Sequence, residues 1–376
     1  MRRLATLLVA VALAGCSSLS SLNPFGPDRP VPKELQPIVA PISAAQVWKE
    51  SIGSVEFPLV PAVNGGVITL ASSDGNVVAL EAASGRSIWR ANVGAKLSAG
   101  VGTDGKVAAV VTRGGDLIVL EAGQVKWKKA LGVRVSTAPL VAGGRIFVLG
   151  VDRAVQAFDA ADGAKLWQVQ RPGDPLTLAQ EGVITAFKDT LVVGQGPRMA
   201  GIDPNTSTIR WEVTVGSPRG ANEVERPADL IGPALRTGDM LCARSFQAAV
   251  GCVDADRGRI VWTKQIGGTD AVAGDSELLF GADASDRITA WKTPSGDVAW
   301  TSEAVMNRGV GAPGVVGGSV VFGDREGNLH WFSRAKGETQ LRSTTDGNPI
   351  AVPPVVVGGT LIVVTRSGGV FAFRPT

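Results

Sequence analysis

From about residue 60 onward, apolar runs of five or six residues alternate with short turns rich in Gly and Asp. "GGVITLAS" (65–72) and "GNVVALEA" (75–82) form one such pair, and two β-prone runs across a Gly-bearing turn read as a hairpin. The second run leads into "ASGRSIWR" (83–90), where Gly85 stands four residues before Trp89. Gly adopts positive φ without a Cβ penalty, so a tight turn there carries the chain into a further strand bearing the Trp. Pieces such as "APLVAGGRIFVLG", "APGVVGGSVVFG" and "VPPVVVGGTLIVV" precede the hairpins and supply a first strand and its turn. Each unit therefore predicts four strands, and nothing in it has helical periodicity.

The unit repeats. Trp127 closes "VLEAGQVKW", Trp167 "AFDAADGAKLW", Trp211 "GIDPNTSTIRW", Trp262 "CVDADRGRIVW" and Trp300 "AWKTPSGDVAW", and Leu341 takes the place in "WFSRAKGETQL". Gly163, Gly258, Gly296 and Gly337 repeat the spacing of Gly85, and the gaps from Trp89 to Leu341 are 38, 40, 44, 51, 38 and 41 residues. A period near 40 built of short strands predicts propeller blades. The last unit, "GGVFAFRPT", stops after its third strand, while Gln46-Val47-Trp48-Lys49 has the Trp without a hairpin before it. The expected fold is all-β: one eight-bladed β-propeller over residues 45–376, its last blade closed by the N-terminal strand so that no open sheet edge remains.

The N-terminus changes the picture. Arg2 and Arg3 precede an apolar stretch from Leu4 to Ala14, too short to span a bilayer and suited to a secretory signal. It ends in Leu13-Ala14-Gly15-Cys16. That motif resembles the lipobox of bacterial lipoproteins, in which the Cys carries acyl chains, and Ser17 after it resembles the outer-membrane sorting class; the alternative is an ordinary signal with a chance Cys. Residues 1–15 are the expected signal peptide, and 16–44 a lipidated Cys16 with a tether holding prolines at 24, 27, 30, 32, 37 and 41. No later segment is apolar enough to cross a membrane as a helix. Removing Arg2 and Arg3 takes the formal charge from +3 to +1, with scattered cations, which excludes a nucleic-acid footprint.

The pattern Ala-x-Asp-x-x-x-Gly-x-x-x-Trp resembles the PQQ-type repeat of quinoprotein dehydrogenases across nearly all of the chain after residue 45. That resemblance implies a scaffold; the chemistry of those enzymes needs a vicinal Cys pair, an Asp base and Ca²⁺ ligands. Here Cys242 and Cys252 are ten apart, and the one His, His330, lies within a third strand. The acids Asp270, Asp275, Asp283 and Asp286 fit no compact Ca²⁺ loop. No cofactor and no metal are expected. The recurring Trp residues read as packing.

Lipobox, Pro-rich tether and eight PQQ-type blades together resemble the BamB family of outer-membrane β-barrel assembly lipoproteins. The resemblance implies a non-catalytic scaffold at the outer membrane, lipid-anchored on the periplasmic side. It also implies binding to BamA POTRA domains beside other components of the assembly machine, with unfolded outer membrane proteins as candidate clients. A divergent quinoprotein-like enzyme or ligand-binding propeller is the alternative. Two connections break the repeat, "RPGDPLTLAQEG" (171–182) and "VGSPRGANEVERPADLIG" (215–232). Both join a closing strand to the next first strand, so they should emerge side by side on one face. They are either tolerated insertions or one composite surface. In the family the matching segments contact BamA: Leu176 and Leu178 match its leucines, Ala179 stands at an Arg place, Asp229 matches one acid and Ile231 replaces a second. Arg226 and Glu225 are further candidates for the contact. Finally, Cys242 and Cys252 flank "ARSFQAAVG", read as the hairpin of one blade with its midpoint at residue 247. They face each other across the ladder if the turn is centred there, a disulfide candidate in an oxidising periplasm.

Overall fold

In the computed structural model, which describes residues 30–57, 59–171, 178–217 and 228–376, the apolar runs become the middle strands of eight four-stranded antiparallel sheets. The first blade is Ala62–Asn64, Val67–Ala71, Asn76–Glu81 and Ser87–Asn92. The third begins at Leu140–Ala142, the fourth at Ile184–Phe187, the fifth at Leu230–Thr237 and the seventh at Gly314–Val316. The eighth is Val355–Val357, Thr360–Val364 and Gly369–Pro375, completed by Ala44–Ser51 from the other end of the chain. That closing strand is in register over Lys49↔Phe371 and Trp48↔Ala372, with one irregularity between Gln46 and Trp48.

The middle strands are mostly apolar on both sides because each blade is covered on both faces. Eight core clusters follow, one between each pair of neighbours: Ile68, Leu70, Val364 and Trp48 between the eighth and first blades, Val192, Leu241 and Val253 between the fourth and fifth. The closing strands are the outer edges and expose Ile88, Val125, Leu166 and Val298.

The Gly-to-Trp spacing has a second cause beyond positive φ. Each closing Trp reaches into the following blade and lies on that blade's last turn. A Cβ on Gly85 would stand 2.7 Å from the Trp48 ring, and one on Gly163 2.8 Å from Trp127. The indole N–H of Trp48, Trp127, Trp167, Trp262 and Trp300 donates to a carbonyl of the next blade's turn at 2.7–3.1 Å. The repeat thus encodes the joint between blades as well as the blade.

Cys242 and Cys252 are opposed in the fifth blade with Cα atoms 4.0 Å apart, and their sulfurs are bonded. Both are fully buried. We expect mass spectrometry of the unreduced protein to find these two peptides linked; two free thiols in protein folded under oxidising conditions would refute the bond. Cys242→Ala with Cys252→Ala should lower stability by roughly 2–3 kcal/mol for so short a loop.

Candidate partner-binding site

The connections between blades and the turns between second and third strands emerge at the same end of the ring. They are stitched together there by backbone bonds such as Arg113 N–H to Lys96 O and Val151 N–H to Arg134 O, at 2.8 and 3.0 Å. The two repeat-breaking connections lie at this end. Leu176 and Arg226, with Glu225, fall outside the described residues, as does Cys16; Leu178, Ala179, Asp229 and Ile231 lie within them.

The described ends of the two connections are joined. Gly182 and Ile231 form a β-bridge, and Gly232 N–H donates to the Glu181 carbonyl at 2.9 Å. Leu178 N–H donates to Asp229 Oδ2 at 3.1 Å. Asp229 is therefore not simply a surface acid. Its other oxygen faces Arg153 at 3.5 Å, in a pair only 12% and 17% exposed, and its carbonyl accepts Phe246 N–H at 3.0 Å. The carboxylate holds the base of one connection against the other. Leu178 is half-buried and Ala179 exposed. Ile231 is buried against Ala271 and Ala312 near the ring axis, so it is turned inward rather than toward a partner. The second connection also ends at Asp229, earlier than residue 232, because the first strand of the fifth blade already begins at Leu230.

Two groups were missed in the sequence. Arg153 has φ 63°, in a turn where the first, second and seventh blades place Gly75, Gly115 and Gly327. A bulky residue forced into the left-handed region is strained. An Arg in that column of the repeat was the available signal. Glu181 had none. It is buried, accepts Ala138 N–H on both oxygens at 3.0 and 3.2 Å, and lies at the axial mouth. Between it and Phe57, Arg113, Arg134, Val135 and Ala179 is an open cavity of about 330 Å³.

Burial pushes the Glu181 carboxyl up to about 8, against the smaller pull of the Ala138 N–H. It keeps its proton at neutral pH. The unfolded chain loses that proton near the ordinary value of 4.5, so between 4.5 and about 8 the folded state binds more protons. Stability therefore falls as pH rises through that window. Glu181→Gln should remove this slope, with an advantage over the parent that grows from pH 5 to 8 and then levels, on the order of 3 kcal/mol. Unfolding midpoints of the two proteins that run parallel across this range would refute the buried proton.

The remaining candidates do not gather. Asp270 bonds Thr269, Asp275 pairs with Arg334, Asp283 caps its own turn and Asp286 accepts Gly309 and Val310 N–H. Among the described residues no group of three such side chains could hold a metal ion. His330 is buried in the seventh blade, 2.9 Å from Asp324. The described ends of the connections offer a fixed base carrying Leu178 and Ala179, beside a cavity edged by Phe57, Arg113 and Arg134, which suits recognition of a protein surface.

A family model described as outer membrane protein assembly factor BamB matches residues 73–302 and 294–376. Outer membrane protein assembly factor BamB of Burkholderia pseudomallei is 33% identical over 369 residues, covering 97% of this chain and 95% of that protein. The protein of the same name from Bordetella pertussis is 33% identical over 368 residues, covering 97% and 94%. The crystal structure of BamB from Moraxella catarrhalis superimposes with a TM-score of 0.79 at 22% identity, over 88% of this chain and 100% of that one. Quinohemoprotein alcohol dehydrogenase from Comamonas testosteroni reaches 0.66 at 16% identity, over 88% and 76%, a likeness of fold alone. Matched along nearly its whole length, the chain belongs to the BamB family of outer membrane protein assembly factors.

Proposed function

We propose that this protein is a non-catalytic, lipid-anchored scaffold of the outer-membrane β-barrel assembly machine, held on the periplasmic side by Cys16. It binds the POTRA domains of BamA through the rim of the two long connections, with Leu176, Leu178 and Asp229 at its centre and Arg226 beside them. The observation that carries this reading is the joint between the two connections. Insertions without a role have no need of a shared base, whereas Asp229 ties Leu178 N–H and Arg153 into one unit. A surface held in place before binding loses less ordering entropy on association.

Purification of the tagged chain from solubilised outer membranes tests it. BamA should be recovered in amounts comparable to the bait. Recovery of the intact chain without BamA would overturn the reading. Cys16→Ala should move the protein to the soluble periplasmic fraction or leave it as uncleaved precursor. A processed variant that still fractionates with outer membrane in high salt would remove Cys16 as the anchor.

A further inference from the structure

The tether read from the prolines does not run free to the first strand. From Lys33 the chain is laid along the seventh blade. Lys33 N–H donates to Met306 O at 2.9 Å, and its ammonium to the Glu303 carbonyl at 2.9 Å. Its own carbonyl accepts Arg308 Nη1 at 3.3 Å. Arg342, on the closing strand Thr339–Thr344 of the seventh blade, donates to the Gln36 carbonyl at 3.2 Å. Leu35 and Ile38 are half-buried, and Ile42 packs against the cluster between the seventh and eighth blades. Thr376 N–H donates to Ser43 O at 3.0 Å.

Arg308 shows that this path is built. Its side chain is 6% exposed. Nε pairs with Asp324 Oδ2 at 3.0 Å, and the second amino group with Glu326. Asp324 is itself fixed by His330 and Asn328. Burial alone would raise the Asp324 carboxyl, but the bonds from His330 and Asn328 hold it well below the usual range. A buried guanidinium needs an acceptor for each of its N–H groups. Nη1 finds one in Lys33, so the tether joins a polar cluster anchored in the blade.

We infer that residues 33–43 are a docked strap, and that the strap sets where the N-terminal anchor leaves the propeller. It leaves beside the 303–308 connection between the sixth and seventh blades, at the same end of the ring as the two long connections. With lipid on Cys16, the chain from there to Lys33 is 33 − 16 = 17 residues and can reach at most about 60 Å. A tether free to Ala44 would have 28 residues and about 100 Å. The strap thus limits how far, and from which side, the ring can stand off the surface that holds its lipid. That last step rests on the anchor reading; the docking does not.

Limited trypsinolysis of the full chain, purified in detergent, tests the docking at the Lys33–Glu34 bond. The parent should be cut there at least tenfold more slowly than Leu35→Asp with Ile38→Asp. Both substitutions lie outside the ring, so both proteins should melt together. Arg308→Met should also speed cutting at Lys33; if it lowers the melting temperature, the strap variant alone decides. Equal cutting of parent and strap variant, with equal melting, would overturn the inference. Repeating the pair on Cys16→Ala should give the same ratio, so loss of membrane retention there bears on the anchor and not on the strap.

Discussion

Trp48→Ala should cost the propeller about 3–5 kcal/mol, and Val47→Ala, one residue away, almost nothing. Trp48 is buried in the cluster that joins the last blade to the first, whereas Val47 is 38% exposed on the outer edge. The indole N–H of Trp48 donates to Ala82 O at 2.9 Å, and its ring lies on Gly85. Truncation therefore opens a cavity, strands a buried carbonyl and loosens a joint held by residues from both ends of the chain. Deleting residues 46–50 goes further. It strips the partner from Gly369–Pro375 and leaves an exposed strand edge, so loss of cooperative unfolding and aggregation are expected. Urea midpoints for the two point variants, with light scattering for the deletion, check this. An unchanged midpoint for Trp48→Ala would mean that the ring does not depend on its closure.

Blade number, blade boundaries and closure were legible because the repeat writes the same joint again and again. A Trp meets a tight turn of the next blade, and that contact favours a Gly four residues before the next closing position; the fourth blade instead has Ser207 there, at φ 60°. The site was less legible because its contacts run through backbone groups. Leu178 meets Asp229 through its N–H, Lys33 meets Met306 and Arg308 through its backbone, and the Glu181 carboxyl meets the Ala138 N–H. Such bonds are indifferent to residue type, so no pattern records them. Asp229 reads as a surface acid from the sequence for the same reason. Arg153 is the exception. Comparing repeats column by column exposes it, since an Arg at φ 63° stands where the first, second and seventh blades place Gly and the sixth a short Asp286.

Replacing both Leu176 and Leu178 by Asp should abolish capture of BamA while the ring melts as the parent does. Leu178 is half-buried on a connection outside the blade ladders, and none of the core clusters includes it among the described residues. An apolar anchor lost from the centre of an interface typically costs about 2 kcal/mol or more, roughly thirtyfold in affinity, and a buried charge in its place costs more. Asp229→Ala should act differently. Its carboxylate faces Leu178 N–H and Arg153 rather than open solvent, so removing it should weaken capture by a smaller factor, through a loosened base. The two routes separate in one experiment that reads BamA capture and hydrogen exchange at the Leu178 amide. The leucine variant should lose capture with that amide still protected, and Asp229→Ala should lose protection first. Undiminished capture by the folded leucine variant would place the partner surface elsewhere on the ring. The joined connections would then be a brace between the third, fourth and fifth blades and nothing more.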